Sequence, residues 1–137
     1  MLVEEPRFDT CFACGKDNPI GLKLHFVYTE GKAAASFFSP QCYEGYPGYI
    51  HGGIISTLMD EAMAKAILLL GKTAVTAQLT THFRKPLKTG MQVQVEGWIC
   101  EAKTRTIKTA SRIIDAEGVV VAAAEAVFIV TGKPNEA

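Results

Sequence analysis

Residues 48–65 read "GYIHGGIISTLMDEAMAK", and the fold turns on how this stretch is read. A histidine and two glycines open a strongly apolar run. Two acids, Asp60 and Glu61, sit side by side within it. At about 100° per residue, Ser56, Thr57, Asp60, Glu61 and Lys65 gather on one half of a helical wheel. Ile55, Leu58, Met59, Ala62, Met63, Ala66, Leu69 and Leu70 fill the other half. The periodicity predicts one helix from Gly53 to Leu70, mostly buried, with a single polar stripe. Gly71 follows it as a C-cap.

The chain on the C-terminal side reads as strand. "AVTAQLTTHFRKPL" alternates and stops at Pro86, and "LKTG" makes a turn. "MQVQVEGWICEA", "KTRTIKTASRIID" and "VVVAAAEAVFIVT" then alternate or run apolar, with short turns between them. On the N-terminal side, "LKLHFVYTEGKAAASFF" breaks at Glu30-Gly31-Lys32, a hairpin signal. Residues 1–21 and "SPQCYEGYPGY" are turn-rich loops. One long apolar helix must bury its face, and a curved antiparallel sheet wrapped around it is the simplest two-layer solution. The expectation is an α+β fold with five or six strands, as a single domain over 1–137.

The chain has 137 residues, 48% hydrophobic and 20% charged, with fourteen basic and fourteen acidic side chains. That is an ordinary globular composition. Zero net charge argues against nucleic acid as a partner. No apolar run reaches the roughly 20 residues of a membrane span. "MLVEEPRFDT" does not read as a signal peptide, so the expected location is cytoplasmic.

Four cysteines stand at 11, 14, 42 and 100. Cys11 and Cys14 form one CxxC, whereas a structural zinc site usually takes two such pairs. Cys42 and His51 have no regular spacing from it. No βαβ pattern supports a redox role. The reading favours a structural turn with reduced thiols, with zinc and redox chemistry as the other readings. No metal and no cofactor are expected.

One buried helix wrapped by an antiparallel sheet, with His51-Gly52-Gly53 at its start, resembles the hotdog-fold acyl-CoA thioesterases. The closest branch is the phenylacetyl-CoA thioesterase-like group. The matching residues are His51-Gly52-Gly53, the acid nine positions after the histidine (Asp60), the strand–turn–strand around "FRKPLKTG", and the element "C..CG..NP.GL.L.F" from Cys11 to Phe26. One position departs: some relatives carry a hydroxyl one turn after the acid, where Ala64 stands. The resemblance implies hydrolysis of an acyl-CoA thioester by a homodimer, or a dimer of dimers, with sites shared between subunits.

The residues can be read for that chemistry. N–H groups at a helix N-terminus are unpaired and sit at the positive end of its dipole. Gly53 is the expected oxyanion donor. Gly52, Ser56 and Thr57 are expected to border the substrate. His51 is read as a base, a pin for the loop or a turn residue, and an available acid favours the pin. Glu61 has Lys65 at i+4, a sufficient structural partner. Asp60 has Ser56 and Ala64 at i±4, and neither compensates a carboxylate in a helix interior. Asp60 is therefore the expected nucleophile or general base. It lies seven residues beyond Gly53, ~10 Å along the axis, which points to a site shared with a partner chain.

The CoA phosphates would need cations, and Arg84 and Lys85 beside Pro86 are the first candidates, with Lys88, Lys103 and Arg105 nearby. Two other readings stay open: a hotdog-fold enoyl-CoA hydratase or dehydratase, and a non-catalytic acyl-CoA-binding protein.

Overall fold

The computed structural model describes residues 8–132; the first seven residues of the N-terminal segment, and with them most of the stretch weighed as a signal peptide, lie outside them. Strands β1 (Val27–Thr29) and β2 (Lys32–Phe38) precede a short turn of 3-10 helix at Gln41–Tyr43. Helix α1 (Gly52–Leu68) follows. Strands β3 (Thr73–Phe83), β4 (Gln92–Ala102), β5 (Thr106–Asp115) and β6 (Val120–Gly132) complete the order. The strands form one antiparallel sheet in the order β1-β2-β4-β5-β6-β3. The single helix against an antiparallel sheet is as expected, and of the five or six strands anticipated the sheet has six. The β1–β2 hairpin turns on Glu30 (φ 52°) and Gly31 (φ 77°), the paired positive values that a two-residue type I′ turn requires.

The helix begins one residue earlier than expected and ends two residues sooner. His51, at φ −58° and ψ 134°, is its N-cap, and its side chain accepts the N–H of Gly53. Leu69 is the C-cap, and Gly71 (φ 69°) carries the chain out in the left-handed conformation. Leu58, Met59, Ala62, Met63, Ala66 and Ile67 are buried against Phe37, Val95, Ile107, Ile113, Val121 and Phe128 of the sheet. Burying each large side chain of this set contributes about 1.5–3 kcal/mol.

Helix and sheet approach closely at Gly97 in β4. A Cβ there would lie 2.4 Å from the backbone C and O of Ala62 and 2.7 Å from the Met63 nitrogen. These are backbone atoms in the middle of α1 and cannot turn aside. Gly97→Ala should therefore push the helix off the sheet and cost on the order of 1–3 kcal/mol, the scale of an overpacked core. A urea midpoint unchanged from wild type would refute this.

Two features differ from the expectation. Lys65 does not lie on a solvated face: its side chain is 7% exposed, its ammonium stands 3.9 Å from Glu61, and it sits 4.7 Å over the Phe8 ring. The N-terminal loop covers this part of the polar stripe, which a wheel drawn on the helix alone does not show. Second, the stripe runs along β3, an edge strand of 11 residues. Among the described residues nothing pairs with the outer edge of β3, and Val75 and Phe83 on it are exposed. A long uncovered edge of this kind is a template for pairing with another chain.

Candidate active site

The first turn of α1 is built by its cap. His51 N–H donates to the Tyr43 carbonyl at 2.9 Å, and the His51 carbonyl accepts from Ile54 and Ile55. His51 Nδ1 accepts the Gly53 N–H at 2.9 Å. This corrects the expectation for Gly53: its N–H is engaged and is not free for a substrate oxygen. The N–H without an acceptor among the described residues belongs to Gly52, one position earlier. The absent Cβ of Gly52 leaves an approach beside the Phe83 ring, 3.4 Å from where that Cβ would stand.

Along the same helix face, side chains meet β3 one after another. Ser56 Oγ donates to Thr81 Oγ1 at 3.2 Å. Asp60 Oδ1 accepts from Thr76 Oγ1 at 2.6 Å. Thr57 turns its hydroxyl back to the Gly53 carbonyl at 2.8 Å. Asp60 therefore has no helical partner but does have one across the groove. The register of β3 slips between Thr76 and Gln78. Such a bulge re-aims the neighbouring side chains, here beside the hydroxyl that holds Asp60.

The basic residues divide. Lys85 Nζ is paired with Asp115 Oδ2 at 2.5 Å, so the substrate role expected for Lys85 competes with an internal ion pair. Arg84 is exposed, and its main-chain N–H is fixed to the Val121 carbonyl. Lys88, Tyr49 and Met91 line a cleft of about 490 Å³ together with Lys85 and Asp115. Ile50 N–H bonds the Leu87 carbonyl at 2.8 Å, which ties this cleft to the start of α1.

Asp115 also accepts the N–H groups of Glu117 and Val119 at 3.0 Å. The Lys85 hydrogen bond first, and these amides after it, hold its carboxyl below the ordinary aspartate value. A carboxyl depressed in the folded state stabilises the fold above its unfolded value, about pH 3.9, and loses that contribution as pH falls. The urea midpoint should drop between about pH 5 and pH 3, and Asp115→Asn should flatten that part of the curve. Identical acid profiles for the two proteins would show that Asp115 carries none of it.

A family model described as "Thioesterase superfamily" matches residues 47–122, which hold all of α1 and the chain from β3 to the start of β6. The chain belongs to the thioesterase superfamily. Acyl-coenzyme A thioesterase THEM4 of Xenopus laevis is 30% identical over 96 residues, 69% of this chain and 43% of that protein. Acyl-coenzyme A thioesterase THEM5 of Mus musculus is 34% identical over 76 residues, 52% of this chain and 31% of that protein. The chain thus spans less than half the length of these two relatives. Among solved structures, a Streptococcus mutans protein bound to acetyl CoA superposes with a TM-score of 0.76 at 26% identity, over 80% of this chain and 90% of that one. The Escherichia coli PaaI protein shares the fold at a TM-score of 0.76 and 21% identity, over 82% of each chain. The architecture is the hotdog fold of PaaI-type thioesterases.

In this superfamily member the second acid of the helix has a different neighbourhood from the first. Glu61 lies with Cys11 and Cys14, and one ligand atom from each falls within 4.8 Å of the others. Neither Cys42 nor His51 joins them. Burial pushes the Cys14 thiol up to about 12, with the Glu61 carboxylate adding to the shift. Burial likewise raises Glu61, opposed by the Lys65 ammonium and the Cys14 S–H. Sequence reasoning missed Thr76 and Thr81 as partners of the helix. Their only signal is a threonine-rich strand, "TAVTAQLTTHF", which has an equally good explanation in β propensity.

Proposed function

We propose that the protein hydrolyses acyl-CoA thioesters to a free acid and CoA. One observation carries the reading: an N–H at Gly52 that has no acceptor among the described residues opens a helix that bears Asp60 on the face turned to a sheet edge that no described residue covers. Membership of the thioesterase superfamily supports it, as do relatives named acyl-coenzyme A thioesterases and a structural neighbour bound to acetyl CoA.

In this reading the thioester carbonyl docks at the first turn of α1. The Gly52 N–H and the positive end of the helix dipole stabilise the oxyanion as it forms. His51 holds the turn in place through Gly53. Asp60 acts as general base, taking a proton from water as the oxygen adds to the carbonyl, or adds its own oxygen as nucleophile. In both routes the tetrahedral intermediate collapses, the C–S bond breaks, and the CoA thiolate leaves and is protonated. The water route gives the free acid directly, whereas the nucleophile route gives an acyl-Asp60 anhydride that water then hydrolyses to the free acid and the regenerated carboxylate. Thr76 keeps the carboxylate pointed across the groove. Arg84 and Lys88, which hold no ion pair among the described residues, are better placed for the CoA phosphates than Lys85. The site is shared between two copies of the chain that meet along β3.

Thiol release from acyl-CoAs of graded chain length and aromaticity tests the reading. At least one substrate should reach a kcat/KM of about 10⁴ M⁻¹s⁻¹ or more. Binding of acyl-CoA without thiol release would leave an acyl-CoA-binding protein instead. Loss of enoyl absorbance from an enoyl-CoA would favour a hydratase, a reading that the capping role of His51 Nδ1 argues against.

A further inference from the structure

We propose that Cys11, Cys14 and Glu61 form a zinc site that fastens the N-terminal loop to the middle of α1. The CxxC alone supplies two ligands. The fold supplies the third from a helix 47 residues further along the chain, a contribution that spacing between cysteines cannot show.

Several observations converge on this. The three ligand atoms lie within 4.8 Å of one another. In a tetrahedral site with bonds of ~2.3 Å to sulfur, ligand atoms stand about 3.8 Å apart. Side-chain rotation covers the difference. The loop that presents the thiols is held by its own backbone: Cys11 N–H donates to the Phe8 carbonyl, Gly15 N–H to the Cys11 carbonyl, and Asp17 N–H to the Asp9 carbonyl. Gly15 is packed so tightly that a Cβ would stand 2.5 Å from the Cys11 nitrogen. The turn after the second cysteine is thus set by the fold before any ion arrives.

The charges also balance. Two thiolates and a carboxylate carry three negative charges, a zinc ion two positive ones, and the buried Lys65 ammonium beside Glu61 supplies one more. The protons of both thiols and of any protonated carboxyl go to solvent when the ion binds. A cavity of about 170 Å³ lined by Phe8, Cys11, Glu61, Lys65 and Thr73 borders two of the three ligand residues, Cys11 and Glu61. It has room for a water as the fourth ligand, the arrangement of a zinc site with three protein ligands. This proposal does not depend on the thioesterase reading.

The test uses the full chain, reduced and freed of metal by a chelator, titrated with Co²⁺. It should saturate at about one cobalt per chain, with thiolate-to-cobalt charge-transfer bands and tetrahedral d–d bands that Zn²⁺ abolishes. Cys11→Ser and Cys14→Ser should weaken the bands and the affinity. Loss of a group that only hydrogen-bonds to a metal ligand already costs about 10–100-fold, so loss of a direct ligand should cost at least as much. Glu61→Gln removes a ligand but also strands Lys65. Glu61→Asp, which keeps the charge, is therefore measured beside it, with circular dichroism reporting the fold, and should retain cobalt at reduced affinity. Cys42→Ser, exposed and outside the cluster, should bind as wild type. No charge-transfer band from the folded wild type would overturn the site. So would bands that survive Cys11→Ser and Cys14→Ser unchanged, or a Cys11–Cys14 pair that oxidises in air while the reduced protein takes up no cobalt.

Discussion

Asp60→Asn should lose on the order of 100-fold or more of kcat for thioester hydrolysis, the scale of an acid–base group, while unfolding at nearly the same urea concentration as wild type. The asparagine amide oxygen can still accept from Thr76 Oγ1, which holds Asp60 at 2.6 Å, so the groove keeps its shape. What is lost is the charge and the basicity. Glu61→Gln should show the opposite pattern. Glu61 is the carboxylate beside a lysine whose side chain is 7% exposed. Removing one partner of a buried pair leaves the other charge uncompensated, at a cost of about 3–5 kcal/mol when burial is complete and less for a pair as loosely spaced as this one. The rate per folded molecule should change far less than in Asp60→Asn. Neighbouring acids on one helix would then separate cleanly, one read in kcat and the other in stability. A dead but stable Glu61→Gln beside an active Asp60→Asn would reverse the roles.

That separation was partly legible before any coordinates. The contrast between an acid with a lysine at i+4 and one with Ser56 and Ala64 there is written in the helix period alone. A count of five or six strands and the β1–β2 turn were legible for the same reason, since alternation and turn residues act locally. What lay beyond reach depends on strand order. β3 follows the helix in the chain, yet it pairs only with β6 at the far edge of the sheet. This order sets Thr76 and Thr81 against the polar stripe and leaves the outer edge of β3 unpaired among the described residues. The burial of Lys65 was hidden likewise, because a loop more than 50 residues earlier supplies its cover. The Gly53 expectation failed on a finer point. Imidazole is not among the common capping groups, so nothing in the pattern assigns the Gly53 N–H to His51 and leaves the Gly52 N–H unpaired.

The shared site can be decided by mixing subunits. Gly52 and Asp60 lie eight residues apart on one helix, ~12 Å along its axis. A base must come within about 3 Å of its proton or act through one water. A carbonyl held at the Gly52 of one chain is thus out of reach of the same chain's Asp60, and in the proposed shared site a second copy docked along β3 closes the gap. Gly52→Pro removes the proposed donor with little strain. Gly52 is the first helical residue, where proline is favoured. His51 before it, at φ −58° and ψ 134°, already has the extended conformation that a residue preceding proline adopts. Gly52→Ala is the control: its Cβ meets the Phe83 ring at ordinary contact distance, and the N–H remains. Gly52→Pro homodimers should lose about 10²–10³-fold in kcat, Gly52→Ala far less, and Asp60→Asn homodimers about 100-fold or more. In a mixed dimer of Gly52→Pro with Asp60→Asn, one site receives the intact Gly52 of the second chain and the intact Asp60 of the first. The other site receives both defects. Purified through a different tag on each chain, this dimer should recover roughly half of wild-type activity if the sites act independently. If each chain built its own site, every site in the mixture would carry one defect. A well-folded mixed dimer no more active than its parents would end the shared-site model.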